Sequence, residues 1–277
     1  MMLPAFDKAK VAFVILTWNS EHFIGTCLES VLSLRCASLD VWVVDNGSTD
    51  GTVGVLETLA VLDPRLHLIL ERENLGTTVS RNKAFRMIVP GTNYVCVLDS
   101  DTIVNQFAFD VMAGALRRDR SVGVVGPSMA DSLGAVQLSG RNLPTLSLKL
   151  RKAWPFGDVA DRAAADERPS APVIDGLQDV GYLLSACWFM PVSSLECVGL
   201  LDEAIFYAPE DVDWCVRCWR RGLRVCLCPD ARIVHEYQRI SHKKLFSRAN
   251  LEHVKGLIYY FKKHGQQVSR ERKKVRQ

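Results

Sequence analysis

Two closely spaced carboxylates are the first candidates for chemistry in this sequence. Asp99-Ser100-Asp101 follows an apolar run at residues 95–98, and one residue separates the two aspartates. With this spacing both carboxylates can converge on a divalent cation, because Mg²⁺ and Mn²⁺ prefer oxygen ligands and keep places for substrate phosphates. Aspartates at strand ends also stabilise turns, so a structural role stays open. The position after a buried strand favours an anchor for a nucleotide diphosphate.

A second acidic cluster, Glu210-Asp211-Val212-Asp213, stands at the predicted start of a helix. The helix dipole alone favours carboxylates there, so a structural and a catalytic role are both open. In the catalytic interpretation, one carboxylate removes the proton of an acceptor hydroxyl while a cation stabilises a departing diphosphate. The two acidic clusters together could supply both functions.

The polar segment 45–52, Asp-Asn-Gly-Ser-Thr-Asp-Gly-Thr, superficially resembles a calcium loop. Its acidic residues do not alternate as that loop requires, and no glutamate closes it in register. We interpret it as a strand-to-helix turn in which Asp50 or Thr49 is the N-cap. Asp45, at the end of the strand, then has no capping role to explain it.

One histidine and four cysteines could also bind metal. His235 follows an apolar run at residues 232–234, where a histidine more often bonds to neighbouring backbone than to a cation. Cys215 and Cys218 stand at helical spacing among apolar residues, and Cys226 and Cys228 alternate along a strand. Packing explains these cysteines better than a zinc site does.

The elements that position these residues alternate between strand and helix. Apolar runs predict strands at 10–17, 39–44, 67–70 and 94–98, and helical patterns predict helices at 23–32, 51–62 and 78–89. This order predicts an α/β fold with a mostly parallel sheet and helices on both faces. Ligands of such sheets collect at the carboxyl ends of the strands, so residues 17–19, 45–48 and 99–101 should open on one crevice.

The second half of the chain is less regular. Residues 130–181 are rich in Ser, Gly, Pro and Ala with basic residues between them, and a connection of this length predicts acceptor-facing loops. Beyond it we predict a helix at 211–221 closed by Gly222, a strand at 224–228 stopped by Pro229, and a last helix at 251–263.

Composition restricts the class of protein. A net charge of +3 over 277 residues argues against a general nucleic-acid binder. Nine cysteines without a signal peptide predict a reduced, cytoplasmic protein, and no apolar run approaches the roughly 20 residues that span a bilayer. The basic segment 269–277 is either a solvated tail or a contact with anionic lipid at the inner face of the cell membrane.

Several sequence blocks together resemble family 2 glycosyltransferases of the GT-A fold, across about residues 10–237. The match weakens at residues 130–181. The blocks are Val14-Ile15-Leu16-Thr17-Trp18-Asn19, the segment 43–52, Glu73-Asn74-Leu75-Gly76, Leu98-Asp99-Ser100-Asp101, the segments 198–203 and 210–213, and the segment 229–235.

The resemblance implies a role for each matched residue. Thr17 and Asp45 would border the nucleobase, and Asp99 would lie near the ribose and diphosphate. Asp101 would bind Mn²⁺ or Mg²⁺ with Asp99 as a further ligand, and His235 would be a second metal ligand or a diphosphate contact. Asp211 would be the catalytic base, with Glu210 as the competing candidate. The implied donor site also includes Asn19, Asn74, Gly76, Arg81 and Ser100.

The resemblance also implies an activity and a domain organisation. We expect an inverting, metal-dependent transfer from a UDP- or dTDP-sugar to a saccharide or lipid-linked saccharide. The segment 139–145 is similar to bacterial rhamnosyltransferase-like enzymes of cell-surface polysaccharide synthesis, whereas 184–188 lacks the Gly-Ala pair usual beside the acceptor. Residues 1–237 would form the GT-A domain, with a donor half at about 10–130 and an acceptor and catalytic-base half at about 131–237. Residues 238–277 would add a C-terminal helix and the basic tail. The alternative is a nucleotide-sugar-binding scaffold without turnover.

Overall fold

The computed structural model describes residues 2–152, 157–236 and 248–265. After a 3-10 turn at Phe6–Lys8, the first half contains β1 (Lys10–Thr17), α1 (Ile24–Leu32), β2 (Ser38–Asp45), α2 (Thr52–Leu62), β3 (Leu66–Leu70), α3 (Thr77–Phe85), β4 (Tyr94–Asp99), β5 (Thr102–Ile103), α4 (Gln106–Arg118) and β6 (Val122–Ala130). The second half contains β7 (Val136–Gln137), β8 (Gly140–Arg141), α5 (Leu146–Lys152), α6 (Gly157–Asp166), β9 (Val173–Ile174), β10 (Leu177–Asp179), β11 (Tyr182–Leu183), β12 (Cys187–Pro191), α7 (Val192–Val198), α8 (Glu210–Arg220), β13 (Arg224–His235) and α9 (Arg248–His264).

One large sheet organises the described part of the chain, in the order β3-β2-β1-β4-β12-β6-β13-β10-β9. The first four of these strands are parallel to one another, and β13 is parallel to β6. β12 runs antiparallel between β4 and β6. The expectation of a mostly parallel α/β sheet is confirmed.

Alternating side chains of the strands belong to two hydrophobic clusters, one on each face of the sheet. Along β1, Phe13 and Ile15 join the cluster packed by α1 and α4, whereas Val14 joins the cluster packed by α3, α8 and α9. This alternation follows from the two-residue repeat of a strand, and it confirms helices on both faces.

The elements that were predicted in the first half agree with the structure to within one or two residues, except at the end of α3, whereas β5, α4 and β6 were not predicted. The predicted helix at 78–89 was too long, because α3 ends at Phe85. Pro90 disfavours helical backbone in the residue before it, and Gly91 adopts a φ of +87°. The chain therefore turns before β4.

The predicted stop at Pro229 was wrong, because β13 continues to His235. Its register with β6 shifts between Cys228 and Arg232, so the strand passes Pro229 through an irregularity. Proline cannot donate to a ladder, and a bulge is the usual way to accommodate one inside a strand. The last residues of β13 then pair with β5.

Residues 130–181 also contain more regular structure than expected. Two short helices, α5 and α6, and the strands β7 to β10 occupy most of the described part of this segment. Within the described ranges no helix is long and apolar enough to cross a membrane. The predicted boundary at residue 237 and the basic segment 269–277 lie outside the described residues.

Candidate active site

The three predicted polar segments lie at the same edge of the sheet. In the parallel register, Thr17 is the partner of Asp45, and Leu16 is the partner of Asp99. The ends of β2, β1 and β4 therefore lie side by side at this edge, where the sequence predicts a crevice.

The turn after β2 gives Asp45 a structural role that the sequence did not indicate. Its carboxylate accepts hydrogen bonds from the amide of Ser48 at 2.9 Å and the Ser48 hydroxyl at 2.5 Å. The sequence predicted no capping role for Asp45, and its contacts with Ser48 stabilise the turn after β2 instead. The predicted N-cap was also displaced by one residue: Gly51 precedes α2, and Asp50 accepts from the amide of Thr52 at 3.1 Å.

Asn19 joins the first two strand ends. Its backbone N–H donates to Ser48 Oγ at 2.8 Å, and its side-chain oxygen accepts from the backbone N–H of Thr49 at 2.8 Å. Asn19 has a φ of +50°, a conformation that asparagine tolerates better than most residues. Both contacts fix the rim of the crevice.

Asn46, which sequence reasoning did not single out, holds the Asn74–Gly76 turn in place. Its side chain donates to Asn74 Oδ1 at 3.0 Å and accepts from the amide of Leu75 at 2.8 Å. The amide of Gly76 donates to Asn74 Oδ1 at 2.9 Å. Asn46 is buried, so these bonds form a satisfied polar network under the crevice.

Gly76 allows a close approach between this turn and the loop before α8. Its φ is +85°, and a Cβ placed there would overlap the backbone oxygen of Phe206. The amide of Thr77 donates to the same oxygen at 2.7 Å. A glycine is therefore required on both conformational and steric grounds.

Asp99, Asp101 and His235 form a compact group of potential metal ligands. One ligand atom from each lies within 4.8 Å of the others. His235 reaches this group because β13 pairs with β5, which places His235 opposite Thr102. The two carboxylates are ligands of the kind that Mn²⁺ and Mg²⁺ prefer, and the imidazole adds a nitrogen ligand.

The imidazole of His235 is oriented by Gln137, a second residue that the sequence did not reveal. Nδ1 donates to Gln137 Oε1 at 2.7 Å, and Gln137 Nε2 donates to the backbone oxygen of His235 at 2.6 Å. Nε2 of His235 lies 3.3 Å from Asp101 Oδ1. Burial alone would lower the pKa of His235, but the nearby carboxylate of Asp101 outweighs it and raises the pKa.

Arg81 connects the two acidic clusters. Its side chain is 2% exposed and donates to Asp99 Oδ1 at 2.5 Å and to Glu210 Oε1 at 3.4 Å. A third bond goes to the backbone oxygen of Ser185 at 3.3 Å. The pKa of Asp99 is still raised, because burial and the charge of Asp101 outweigh the attraction of Arg81.

Glu210 and Asp211 open α8 in different environments. Glu210 is buried and accepts from the Ser185 hydroxyl at 3.0 Å, and burial with the neighbouring charge of Asp211 raises its pKa to about 8. Asp211 is only half-buried. Burial also raises the pKa of Asp211, although Arg141 and Lys149 oppose this.

The remaining predicted residues are placed as follows. Ser100 is buried, and its hydroxyl lies 2.9 Å from that of Ser20, inside the wall of the crevice. The four cysteines do not meet, because Cys215 and Cys218 belong to one hydrophobic cluster and Cys226 and Cys228 to the other.

Known proteins resemble this chain in sequence. Residues 12–165, more than half of the chain, match the sequence profile described as "Glycosyl transferase family 2". The N-acetylglucosaminyl-diphospho-decaprenol L-rhamnosyltransferase of Mycobacterium tuberculosis is 26% identical over 270 residues, which span 91% of this chain and 84% of that protein.

Two solved structures share the fold. The mannosyltransferase PcManGT from Pyrobaculum calidifontis, in complex with GDP-Man and Mn²⁺, superposes with a TM-score of 0.58 at 19% identity, over 87% of this chain and 61% of that one. Residues 1–349 of S. aureus TarS superpose with a TM-score of 0.57 at 17% identity, over 93% and 73%. The sequence match and the GT-A architecture together assign the chain to glycosyl transferase family 2.

Proposed function

We propose that this glycosyltransferase moves a sugar, with inversion, from a UDP- or dTDP-sugar to a hydroxyl of a saccharide or lipid-linked saccharide during cell-surface polysaccharide or glycolipid synthesis. The main observation behind the proposal is that Asp99, Asp101 and His235 converge at the edge of the sheet. Arg81 bonds to both Asp99 and Glu210, and Glu210 is the neighbour of Asp211. The mycobacterial relative, named for a diphospho-decaprenol acceptor, supports a lipid-linked acceptor and a deoxyhexose donor.

Asp101, His235 and Asp99 would hold Mn²⁺ or Mg²⁺ in this proposal. The bound cation would neutralise the charge that develops on the departing diphosphate. Gln137 fixes the ring of His235 and leaves Nε2 facing Asp101, as an outer hydrogen-bond partner of a metal ligand does. Thr17, Asn19, Asp45, Asn74, Gly76 and Ser100 would form the wall around the nucleotide.

Asp211 is our candidate for the base. A base must be ionised and reachable at neutral pH. Glu210 has a pKa of about 8, is buried and is already bonded to Ser185, so it would be mostly protonated. Asp211 is more open to solvent, and although burial raises its pKa, the Val212 amide and the charges of Arg141 and Lys149 stabilise its ionised form.

The proposed step is a single displacement. Asp211 takes the proton of the acceptor hydroxyl as its oxygen attacks the anomeric carbon. The bond between that carbon and the diphosphate oxygen breaks, and the diphosphate leaves with the electron pair. Attack opposite the leaving group inverts the anomeric centre. Arg81 would keep Asp99 and Glu210 in place while the donor and acceptor bind.

A lipid-linked acceptor would require the protein to work at a membrane surface. We propose that the basic segment 269–277 contributes to that contact, at roughly 1 kcal/mol per basic residue near an anionic surface.

Thermal-shift screening of nucleotide sugars tests the donor assignment. A specific donor at 100 times its dissociation constant should stabilise the folded protein by about 2.7 kcal/mol, with Mn²⁺ required for the full effect. Release of nucleotide diphosphate in the presence of an acceptor then tests turnover. A flat thermal response to every donor, with and without Mn²⁺, would contradict the proposal, and donor binding without release would favour the non-catalytic scaffold.

A further inference from the structure

The outward face of α9 combines apolar and basic side chains. Leu251, Val254 and Ile258 follow one another at helical spacing and are 59%, 53% and 53% exposed. Lys255 and Lys262 are exposed on the same side of the helix. More than half of each apolar side chain in this stripe therefore remains in contact with water.

The rotation of α9 is fixed by its inward face, so the stripe cannot turn towards the core. A Cβ at Gly256 would overlap the backbone oxygen of Ala208, which shows how closely the two backbones approach. Tyr260 is fully buried in the second hydrophobic cluster, and His264 is buried against Asp213. The apolar stripe is thus held on the surface.

The positive charge of the C-terminal sequence limits which partner can cover the stripe. Residues 238–277 contain twelve Lys and Arg and two Glu, although the whole chain has a net charge of only +3. A second copy of the chain would place one basic segment against another, which is unfavourable. An anionic lipid surface accepts both features, since apolar side chains enter the headgroup boundary and lysine stems extend to the phosphates.

We propose that α9 is a membrane-docking helix, which lies in the interface of an anionic bilayer with Leu251, Val254 and Ile258 immersed. This inference does not depend on the donor or acceptor proposed above. Because α9 packs on Ala208 and Pro209, directly before Glu210 and Asp211, docking would bring the candidate active site beside the lipid surface.

Vesicle flotation with the full chain tests this surface. Wild-type protein should float with phosphatidylcholine vesicles that contain phosphatidylglycerol, and less with phosphatidylcholine alone. The double variant Leu251→Ser/Ile258→Ser should partition at least about 10-fold more weakly, because it loses the apolar atoms that enter the bilayer. The matched control is Val61→Ser/Leu62→Ser on α2, whose side chains are 87% and 74% exposed, and it should float like the wild type.

Two further measurements keep the outcomes distinct. Thermal unfolding and nucleotide-sugar binding in solution should be unchanged in both variants, so loss of flotation cannot be ascribed to misfolding or to a lost donor site. The proposal is overturned if the wild type fails to float with anionic vesicles or if Leu251→Ser/Ile258→Ser floats normally. It is also overturned if light scattering shows a dimer that this variant dissociates, since the face would then belong to a second copy.

Discussion

Nε2 of His264 lies 2.7 Å from Oδ1 of Asp213, and both side chains are almost completely buried. Arg217 Nε and Lys263 Nζ also contact the Asp213 carboxylate, at 2.9 and 2.7 Å. Asp213 belongs to the same acidic cluster as Asp211, but its contacts give it a different role. It fastens α9 to α8.

Asp213→Asn should destabilise the fold by about 2–4 kcal/mol, because it leaves several buried donors with a weaker acceptor. Denaturant unfolding measures this. Glu57→Gln, an exposed change on α2, is the control and should stay within about 0.5 kcal/mol of the wild type.

The same contact predicts that the free energy of unfolding decreases at acid pH. Burial would raise the pKa of Asp213, but the bonds from His264 and Lys263 outweigh it and hold the pKa far below its usual range. The stabilisation is therefore complete above the unfolded pKa of about 4 and is lost as the pH falls below it. Unfolding free energy measured from pH 7 to pH 3 should fall less steeply in Asp213→Asn. Equal slopes would count against this assignment.

The proposed metal site predicts a graded response to substitution. Asp101→Ala should remove the Mn²⁺-dependent part of donor binding, since a carboxylate ligand is lost. Gln137→Ala should weaken Mn²⁺ affinity by about 10–100-fold, because the ring of His235 loses its partner. Calorimetric titration of Mn²⁺ with a nucleotide sugar measures both. If Gln137→Ala were more damaging than Asp101→Ala, the ligand assignment would have to be revised.

The base assignment predicts different outcomes for two neighbouring residues. Asp211→Asn should lower transfer by about 10²–10⁴-fold while donor binding persists. Glu210→Gln should lose less than about 10-fold at pH 7, because glutamine can replace a protonated carboxyl beside Ser185. A product assay with acceptor, together with donor titration, separates the two. Full activity of Asp211→Asn would show that another group accepts the proton.

Glu210 also predicts an alkaline change in stability. Because its pKa is raised from 4.5 to about 8, the folded state favours the protonated form, and stability is lost as the pH rises from about 4.5 to about 8. The Glu210→Gln variant cannot ionise, so its stability relative to the wild type should increase between pH 6 and pH 9. Thermal unfolding across that range measures the difference, and parallel curves would argue against a buried, protonated Glu210.

Substitution of Gly76 and of Gly54 by alanine should have opposite effects on stability. Gly76→Ala should destabilise the fold by about 2 kcal/mol or more, because φ is positive and the new methyl would meet the backbone of Phe206. Gly54 lies inside α2, and a methyl group added there would have no atom within 4 Å, so Gly54→Ala should stabilise by about 0.5–1 kcal/mol. Denaturant midpoints of the two variants should move in opposite directions. Movement in the same direction would contradict the turn geometry.

The edge of the sheet at which β1, β2 and β4 end could be predicted, because local sequence patterns determine it. Residues 10–17, 39–44 and 94–98 are apolar runs followed by polar turns, and the helices between them make adjacent parallel strands the natural arrangement. The placement of Asp45 opposite Thr17, and of Asp99 opposite Leu16, follows from that order alone.

The long-range contacts could not be predicted in this way. His235 reaches Asp101 only because β13 passes Pro229 and then pairs with β5, and Pro229 normally predicts the end of a strand. Gln137 belongs to no motif, and Asn46 lies within the segment 43–52 but its role depends on partners far away in the chain. The contacts of Arg81 with Asp99 and Glu210 likewise join segments that are distant in the sequence, and no local sequence pattern predicts such contacts.

These contacts of Arg81 have an evolutionary consequence. A single guanidinium bonds to both Asp99 and Glu210, so substitutions at these two residues should not have independent effects. A lineage that replaced one carboxylate would leave Arg81 partly unpaired and would be selected to change the other, or the arginine itself. The three positions should therefore vary as a unit among relatives, and the donor and acceptor preferences of such enzymes should be difficult to alter one at a time.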